Sequence, residues 1–199
     1  MTRRPATGAA VLQPELTRSI TEAVLDELAE QGYARLSMEA VAKRAGVGKS
    51  ALYRRWPAKQ AMVIAVLAEF SVGRADIADT GSLRGDLYAV LEGVLEWLAH
   101  PRFSRILPDL VAETVRNPEL GDIVTSMIGD PRRERGARVL QRAIARGELP
   151  ADLDLELALD LVAAPIYWRL SVRGGTLEPG YLDTLLDALL PALAASVRR

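Results

Sequence analysis

The chain has 199 residues, of which 49% are hydrophobic, and it contains no cysteine. This length allows one core of ordinary size, or a small module joined to a larger one. Without cysteine, disulfides and thiolate-based zinc sites are excluded. No apolar run approaches the roughly 20 residues that a membrane span needs, and the N-terminal segment lacks the apolar core of a signal peptide. We therefore predict a cytoplasmic protein that is neither exported nor inserted in a membrane.

Charge is distributed unevenly along the chain, although the formal net charge is only −1. Residues 1–60 contain ten basic and six acidic residues, whereas residues 61–199 contain fifteen basic and twenty acidic ones. No acid lies between Glu39 and Glu69, and this interval holds the cations Lys43, Arg44, Lys49, Arg54, Arg55 and Lys59. Such a concentration of cations is typical of a surface that neutralises phosphates.

The spacing of apolar residues predicts an all-α fold, because it is helical almost throughout and no strand-length β-branched segment is present. We predict a flexible arm at residues 1–12, followed by a first helix that begins near Pro14 and ends at Gly32. Ser37 is the expected N-cap of a short second helix, and Gly46 its stop. A third helix should begin at about residue 49 and a fourth at about residue 57.

The stretch GRADIADTGS, residues 73–82, is rich in helix-breaking residues and is the predicted joint between two domains. Five further helices are expected after it, at 83–99, 103–116, 119–146 with a break near 129–131, 154–172 and 179–197. The predicted domains are the arm at 1–12, a small helical domain at 13–57, a connecting helix at 58–73, and a larger helical domain at 74–199.

Residues 37–59, SMEAVAKRAGVGKSALYRRWPAK, have the pattern of a helix-turn-helix, in which the second helix inserts its N-terminal end into the major groove. Packing of the two helices is assigned to the small and apolar residues Val41, Ala42, Ala45, Val47 and Leu52. The polar residues then face outward. We expect base-edge contacts from Lys49, Ser50 and Arg54, and phosphate contacts from Ser37, Tyr53, Arg55 and Lys59.

The segment from about residue 16 to residue 73 resembles the DNA-binding domain of the TetR family of bacterial regulators. The resemblance rests on EQGYARLSM, AVAKRAGV and GKSALYRRWPAKQAM, where Leu52, Tyr53, Trp56 and Lys59 match the family spacing. Gly48 stands where the family often has Ser or Thr, Ala58 where it has a small polar residue, and Arg54 with Arg55 where it often has an aromatic residue or histidine. The bases that are read therefore remain open.

The resemblance implies that residues 74–199 form a ligand-binding and dimerisation bundle. Helical bundles bind small molecules between their helices, in largely apolar pockets with a few polar groups. The residues expected to line such a pocket are Trp97, Phe103, Ile106, Leu110, Glu113, Met127, Tyr167 and Trp168, each of which could instead be ordinary core. Few charges are expected there, which favours a hydrophobic or amphipathic effector.

The final predicted helix carries an apolar stripe that is broad for one neighbouring helix, and its companion LELALDLVAAPIYWRLSV is also largely apolar. Two such helices from each subunit would form a four-helix interface of a homodimer with two-fold symmetry. That dimer would present two recognition helices to a pseudo-palindromic operator. The predicted interface residues are Leu182, Leu185, Leu186, Leu189, Leu190 and Leu193.

Catalytic and metal-dependent functions have little support in the sequence. His100 is the only histidine and follows Glu96 by four residues, but a carboxylate site in a four-helix bundle uses two Glu-x-x-His pairs and therefore two histidines. We interpret His100 as a helix C-terminal residue instead. No phosphate-binding glycine loop or histidine-based triad is present, and no cofactor is expected.

Together the patterns predict a ligand-responsive repressor that releases its operator when an effector binds, with the connecting helix transmitting the change. The alternative is a DNA-binding architectural protein whose C-terminal bundle binds a protein partner. A helical enzyme or scaffold without a DNA role is the third hypothesis. A ligand-sized cavity distinguishes the first from the second, and a DNA mobility shift excludes the third.

Overall fold

The computed structural model describes residues 9–72 and 79–197 and is all-helical in those residues. Ten α-helices are present there, with one short π-helical segment between the seventh and eighth helices and another directly after the ninth. In chain order the helices are α1 (Ala9–Arg35), α2 (Met38–Ala45), α3 (Lys49–Arg55), α4 (Lys59–Val72), α5 (Leu83–Ala99), α6 (Phe103–Arg116), α7 (Pro118–Val124), α8 (Asp130–Ala145), α9 (Leu155–Tyr167) and α10 (Tyr181–Ala195). The π-helical segments are Thr125–Gly129 and Trp168–Val172.

Most predicted helices are present, but two boundaries differ. The helix α1 begins at Ala9, inside the predicted arm, and the rest of that arm, residues 1–8, lies outside the described residues. The helix predicted at 119–146, with a break near residues 129–131, is two α-helices separated by a π-helical segment that ends at Gly129, and Pro131 is the second residue of α8. Residues 73–78 of the predicted joint are also outside the described part of the chain.

The chain forms two compact units, and neither is a single continuous stretch of sequence. Among the described residues, one unit contains 9–70 together with 105–124, and the other contains 71–72, 79–104 and 125–197. Most of α6 and all of α7 therefore belong with the N-terminal helices, where the sequence had placed them in the C-terminal domain. The helices α4 and α6 each have residues in both units.

The first unit is built around fully buried apolar side chains of α1, α2, α3 and α4. Ile20 and Val24 of α1 are 0% exposed, as are Val41 of α2 and Leu52 of α3. Complete burial of one such side chain contributes about 1.5–3 kcal/mol. These contacts fix the short helices α2 and α3, which are too short to be stable in isolation.

The second unit contains α5, α8, α9 and α10. Its core includes Leu87 and Leu91 of α5, Leu140 of α8, Ile166 of α9 and Leu186 of α10, each at most 1% exposed. After α10, the backbone N–H of Asp154 donates to the carbonyl of Ser196 over 2.8 Å, which ties the end of α10 to the start of α9.

A carboxylate lies within this second unit at the beginning of α5. Asp86 is fully buried, and it accepts hydrogen bonds from the Thr80 backbone N–H at 2.8 Å and from Arg146 at 3.0 Å. Burial raises the pKa of Asp86, but the hydrogen bonds from Thr80 and Arg146, with the charge of Arg142, outweigh this effect and hold the pKa below its ordinary value. Asp86 therefore joins the start of α5 to the end of α8 as a charged group.

Across the described ranges, no α-helix is both long enough and apolar enough to cross a membrane.

Candidate nucleic-acid interface

The helix-turn-helix predicted from residues 37–59 is present, and local hydrogen bonds define both ends of its first helix. The Ser37 hydroxyl accepts from the backbone N–H of Ala40 over 3.1 Å, as an N-cap does. At the other end, Gly46 has φ of +69°, and the N–H of Val47 donates to the Ala42 carbonyl over 2.9 Å. Glycine adopts this left-handed conformation without the steric penalty of a Cβ, so the chain turns sharply into α3.

Burial distinguishes the two faces of α3 as the sequence predicted. Leu52 is fully buried, whereas Lys49, Ser50, Tyr53 and Arg54 are exposed. Of the residues predicted to pack the motif, Val41, Ala42 and Leu52 are buried, while Ala45 and Val47 are half-buried. The exposed side chains of α3 thus form one continuous polar surface, the reading face.

The four residues predicted to hold phosphates have different surroundings. The hydroxyl of Ser37 already accepts a capping bond, so its proton is the group available to a phosphate. Tyr53 is 54% exposed. Arg55 donates to the Thr17 hydroxyl over 2.7 Å and lies 5.4 Å from the centre of the Trp56 ring, so part of its role is to join α3 to α1.

Lys59 is directed toward the end of α1. Its ammonium donates to the carbonyls of Tyr33 at 3.0 Å and Ala34 at 3.3 Å, and it lies 4.6 Å from the centre of the Tyr33 ring. An ammonium has three donors, so one remains for a phosphate. Lys59 thus stabilises the helix end that the sequence analysis had not connected with it.

The predicted basic cluster offers fewer cations to DNA than the sequence suggested, because Arg44 is paired within the protein. Its guanidinium donates to Glu27 over 2.8 Å and to Glu30 over 2.9 Å, and it lies 3.8 Å from Asp26. The hydrogen bond to Glu30 raises the pKa of Arg44, and the same bond lowers the pKa of Glu30. Arg44 joins α2 to α1 and is not part of the reading face.

The end of α1 is held from a second direction by α6. Gly32 has φ of +76° and ψ of 169°, which interrupts the helix before its last turn. Directly after this break, the backbone N–H of Tyr33 donates to the Asp109 carboxylate over 2.7 Å. A Cβ at Gly32 would lie 2.8 Å from Asp109 Oδ1, so glycine permits both the backbone angle and the approach of α6.

The residues predicted to line an effector pocket are divided between the two compact units. Ile106, Leu110 and Glu113 belong to the first unit, and the other five belong to the second. Phe103, Ile106 and Leu110 are buried, but Met127 and Trp168 are 49% and 58% exposed. Glu113 pairs with Arg116 over 2.8 Å.

Trp97 and Phe103 form an aromatic cluster in the second unit. Their ring centroids are 4.3 Å apart, and the Arg132 guanidinium lies 3.8 Å from the Trp97 ring centre. The Trp97 indole donates to the buried hydroxyl of Ser71 over 3.3 Å, while Arg132 donates to the Ser71 carbonyl over 3.0 Å. The cationic member of this cluster was not anticipated, because α8 has several arginines and the sequence does not show which of them turns inward.

The leucine stripe of α10 needs correction as a predicted dimer interface. Leu182, Leu186, Leu189 and Leu193 are at most 8% exposed in the single protomer. They pack within their own unit, where α10 contacts α5 and α9. Only Leu185 and Leu190 of the predicted six remain half-exposed. The stripe is broad because α10 lies in a groove between two helices of its own chain.

His100 follows the last residue of α5, the helix-end position that the sequence indicated. Its Nδ1 accepts from the backbone N–H of Arg102 over 3.3 Å. Within the described residues, no group of three or more histidine or carboxylate side chains is arranged to hold a metal ion.

Two family models cover most of the chain. Residues 20–66 match the model of bacterial regulatory proteins of the tetR family, and residues 77–189 match that of the tetracyclin repressor-like C-terminal domain. The chain belongs to the TetR family. It is a DNA-binding transcriptional regulator of that family, and its helix-turn-helix lies within the first matched segment.

Individual members of the TetR family align over almost the whole chain. The DNA-binding transcriptional repressor TetR of Mycobacteroides abscessus is 34% identical over 170 residues, which are 85% of this chain and 88% of that protein. The structure of the TetR-family regulator SCO0332 superimposes with a TM-score of 0.67 at 27% identity and covers 89% of this chain and 97% of its own. FadR from Bacillus subtilis, solved with stearoyl-CoA, has a TM-score of 0.73 at 20% identity and covers 92% of this chain and 100% of its own.

The contacts of the interface that sequence reasoning missed include Arg44 with the acids of α1, Lys59 with the end of α1, and Asp109 with Tyr33. The first had a signal, because Asp26 and Glu30 are four residues apart and share a helix face. The other two join residues that are 26 and 76 positions apart, and no local pattern indicates such contacts.

Proposed function

We propose that this TetR-family protein is a homodimeric repressor that releases a pseudo-palindromic operator when a small effector binds its C-terminal helices. The observation that carries the DNA-binding part is the reading face of α3, where Lys49, Ser50, Tyr53 and Arg54 are exposed around a buried Leu52. Arginine and lysine at such positions read guanine edges, and hydroxyl groups hold phosphates. Lys49, Ser50 and Arg54 are the proposed base readers, and Ser37, Tyr53, Arg55 and Lys59 the proposed phosphate contacts.

A second copy of this chain is the proposed occupant of an exposed apolar stripe on α9 and the π-helical segment after it. Leu157, Trp168 and Val172 are 47%, 58% and 51% exposed, and their spacing places them on one side of the helix. This stripe replaces the buried leucines of α10 in the proposed interface, together with the half-exposed Leu185 and Leu190. A two-fold axis through it would pair like with like.

The proposed effector is hydrophobic or amphipathic. Trp97 and Phe103 supply apolar surface, and the Arg132 guanidinium beside them supplies a cation that would suit an acidic headgroup. The same fold holds an acyl thioester in FadR, which was solved with stearoyl-CoA.

Regulation is proposed as a shift between two states of the dimer. The effector binds better to the state in which the spacing of the two α3 helices does not fit the operator, and it therefore weakens DNA binding. DNA weakens effector binding by the same factor. The helix α4 is one proposed connection, and α6 is a second, because Asp109 holds the backbone of Tyr33. The usual coupling corresponds to a factor of about 5 to 150 in operator affinity.

Selection of bound sequences from a random DNA library tests this function. We expect the wild type to enrich an inverted repeat and to bind it as a dimer in a mobility-shift titration. Fatty acyl compounds should then lower that affinity and change the fluorescence of Trp97, measured against a Trp97→Phe variant. Enrichment of no sequence would contradict the function, and enrichment with no response to amphipathic compounds would contradict the effector class.

A further inference from the structure

An acidic side chain lies beside the reading face and pairs with its first residue. Glu39 Oε1 is 2.8 Å from the Lys49 ammonium, which joins the first turn of α2 to the first residue of α3. The two side chains are 72% and 54% exposed, so neither is confined by packing. Glu39 is also the last acid before Glu69, and a negative charge at this edge opposes the approach of phosphates.

The pair is ionic at neutral pH. The hydrogen bond from Lys49, with the lysine charge, lowers the pKa of Glu39 below its ordinary value. A phosphate beside Lys49 brings a second anion close to the Glu39 carboxylate, and the repulsion between the two anions makes that contact unfavourable while the pair is intact. A lysine directed to a guanine edge can keep the carboxylate, because an ammonium has three donors and a guanine uses one or two of them.

We propose that Glu39 is a positioning residue that determines specificity: it holds Lys49 toward the base edges and makes the use of Lys49 as a phosphate contact unfavourable. On a cognate site the Glu39–Lys49 pair persists while Lys49 donates to a base. On unrelated DNA, where affinity comes from phosphates alone, repulsion from Glu39 makes the Lys49 contact unfavourable while the pair is intact. The inference rests on the proposed DNA-reading function and adds a residue that lowers non-specific affinity.

The size of the effect follows from the exposure of the pair. An exposed ion pair of this kind corresponds to a factor of about 1.5 to 5 in an equilibrium constant. Glu39→Gln should therefore raise the affinity for random duplex DNA about 1.5- to 5-fold for each recognition helix in contact. It should also steepen the salt dependence by about 0.9 per helix, since one more lysine then neutralises a phosphate.

The experiment compares operator and random duplex across a salt series for four proteins: the wild type, Glu39→Gln, Lys49→Gln and the double variant. The operator is the sequence that the wild type enriches from a random library. Glu69→Gln is the matched control, because it removes one negative charge from an exposed position on α4. Glu39→Asp tests whether a shorter carboxylate restores the wild-type ratio, and thermal unfolding checks that α2 stays folded.

The expected result is that Glu39→Gln lowers the ratio of operator to random affinity, that Glu69→Gln does not, and that the effect disappears when Lys49 is already Gln. An unchanged ratio would overturn the inference, whatever happened to the separate affinities. A ratio that fell equally in the Lys49→Gln background would overturn it too, because Glu39 would then act without Lys49. If the wild type enriched no sequence, the proposed function and this inference would both fail; an insensitive ratio on an enriched operator defeats only the inference.

Discussion

Arg54 and Lys59 are two cations of the interface with opposite structural surroundings. Arg54 is exposed and has no hydrogen bond or ion pair to any residue in the described ranges, whereas Lys59 binds two carbonyls at the end of α1. We predict that Arg54→Ala costs about 1–3 kcal/mol on the operator, relaxes preference at one base pair and leaves the Tm unchanged. Titration on variant operators, with calorimetry of the free protein, measures both. Equal weakening on operator and random DNA would assign Arg54 to the phosphates, and base reading to Lys49 and Ser50.

Lys59→Ala should behave differently from Arg54→Ala. It should weaken binding to all DNA sequences alike and reduce the salt slope by about one per contact. It should also lower the Tm, because the carbonyls of Tyr33 and Ala34 lose a charged donor. An unchanged affinity and slope on both DNAs would show that Lys59 stabilises the fold and holds no phosphate.

Arg44 joins α2 to the acidic face of α1. Glu27 is only 8% exposed and accepts a hydrogen bond from the Arg44 guanidinium, so Arg44→Met would leave the buried Glu27 carboxylate without that donor. We predict a loss of about 1–3 kcal/mol in the free energy of unfolding. Lys43→Met is the matched control, since Lys43 is an exposed cation on the same helix and should cost little. Chemical denaturation measures both, and partial recovery by Glu27→Gln in the Arg44→Met protein would identify the stranded carboxylate as the cause.

The sequence predicts only in part which of these cations face DNA and which pair within the protein. The sequence identified the exposed residues of α3, because the period of α2 and α3 leaves one face apolar and one face polar. It did not separate Arg44 from Arg54, since both are arginines in the same basic interval. What separates them is the acidic face of α1, which only the packed structure brings to Arg44.

At the scale of the helix, Gly32 controls how α1 ends. Any other residue here would have to adopt φ of +76°, and its Cβ would lie 2.8 Å from Asp109 Oδ1. We predict that Gly32→Ala destabilises the first unit by more than 1 kcal/mol and weakens operator binding, because α6 must move away from Tyr33. Gly93→Ala in α5, where a Cβ meets nothing within 4 Å, is the control. Thermal unfolding with an operator titration measures both effects, and a Gly32→Ala protein as stable as the control would refute this account.

Helix boundaries were predictable where a side chain or a glycine defines them. Ser37 and Gly46 bound α2 as expected, and the predicted spans of α5 and α6 match the structure. The π-helical segments were not predictable, because one wider turn scarcely changes the apolar period on which the assignment rests. The same reasoning failed for α10, whose periodicity indicates an apolar face without showing which helices cover it.

At the scale of the whole molecule, Leu186 and Trp168 distinguish folding from assembly. Leu186 is fully buried in its own protomer and Trp168 is 58% exposed. We predict that Leu186→Glu unfolds the second unit, because a buried unpaired charge is costly. Trp168→Glu should instead keep the helical circular dichroism and shift the protein from dimer to monomer. Sedimentation without DNA at micromolar concentration measures the assembly, and a monomeric wild type, or a Trp168→Glu dimer as stable as the wild type, would contradict the proposed interface.

Acid should weaken the second unit through Asp86. Because folding lowers the pKa of this carboxyl, its contribution to stability is complete above the ordinary value of 3.8 and is lost as the pH falls through the lower folded value. We predict that Asp86→Asn costs about 1–3 kcal/mol at pH 7 and that its difference in Tm from the wild type narrows below pH 3.8. Asp152→Asn, at an exposed position, should show no such convergence. A constant difference down to pH 2.5 would show that charge on Asp86 is not what stabilises the fold.

The membership of residues 105–124 in the first unit has a consequence for recombination between regulators. A crossover after α4 would join the DNA-binding helices of one regulator to the C-terminal helices of another. If the two parts were independent modules, this exchange would leave the fold of each part intact. Here that exchange also replaces Asp109, so the backbone at Tyr33 meets a foreign α6. We therefore expect that folded hybrids either take residues 105–124 from the same regulator as the DNA-binding helices or have a carboxylate at the position of Asp109. Through Asp109, the helices that carry the DNA-binding motif depend on a segment far beyond them in the sequence.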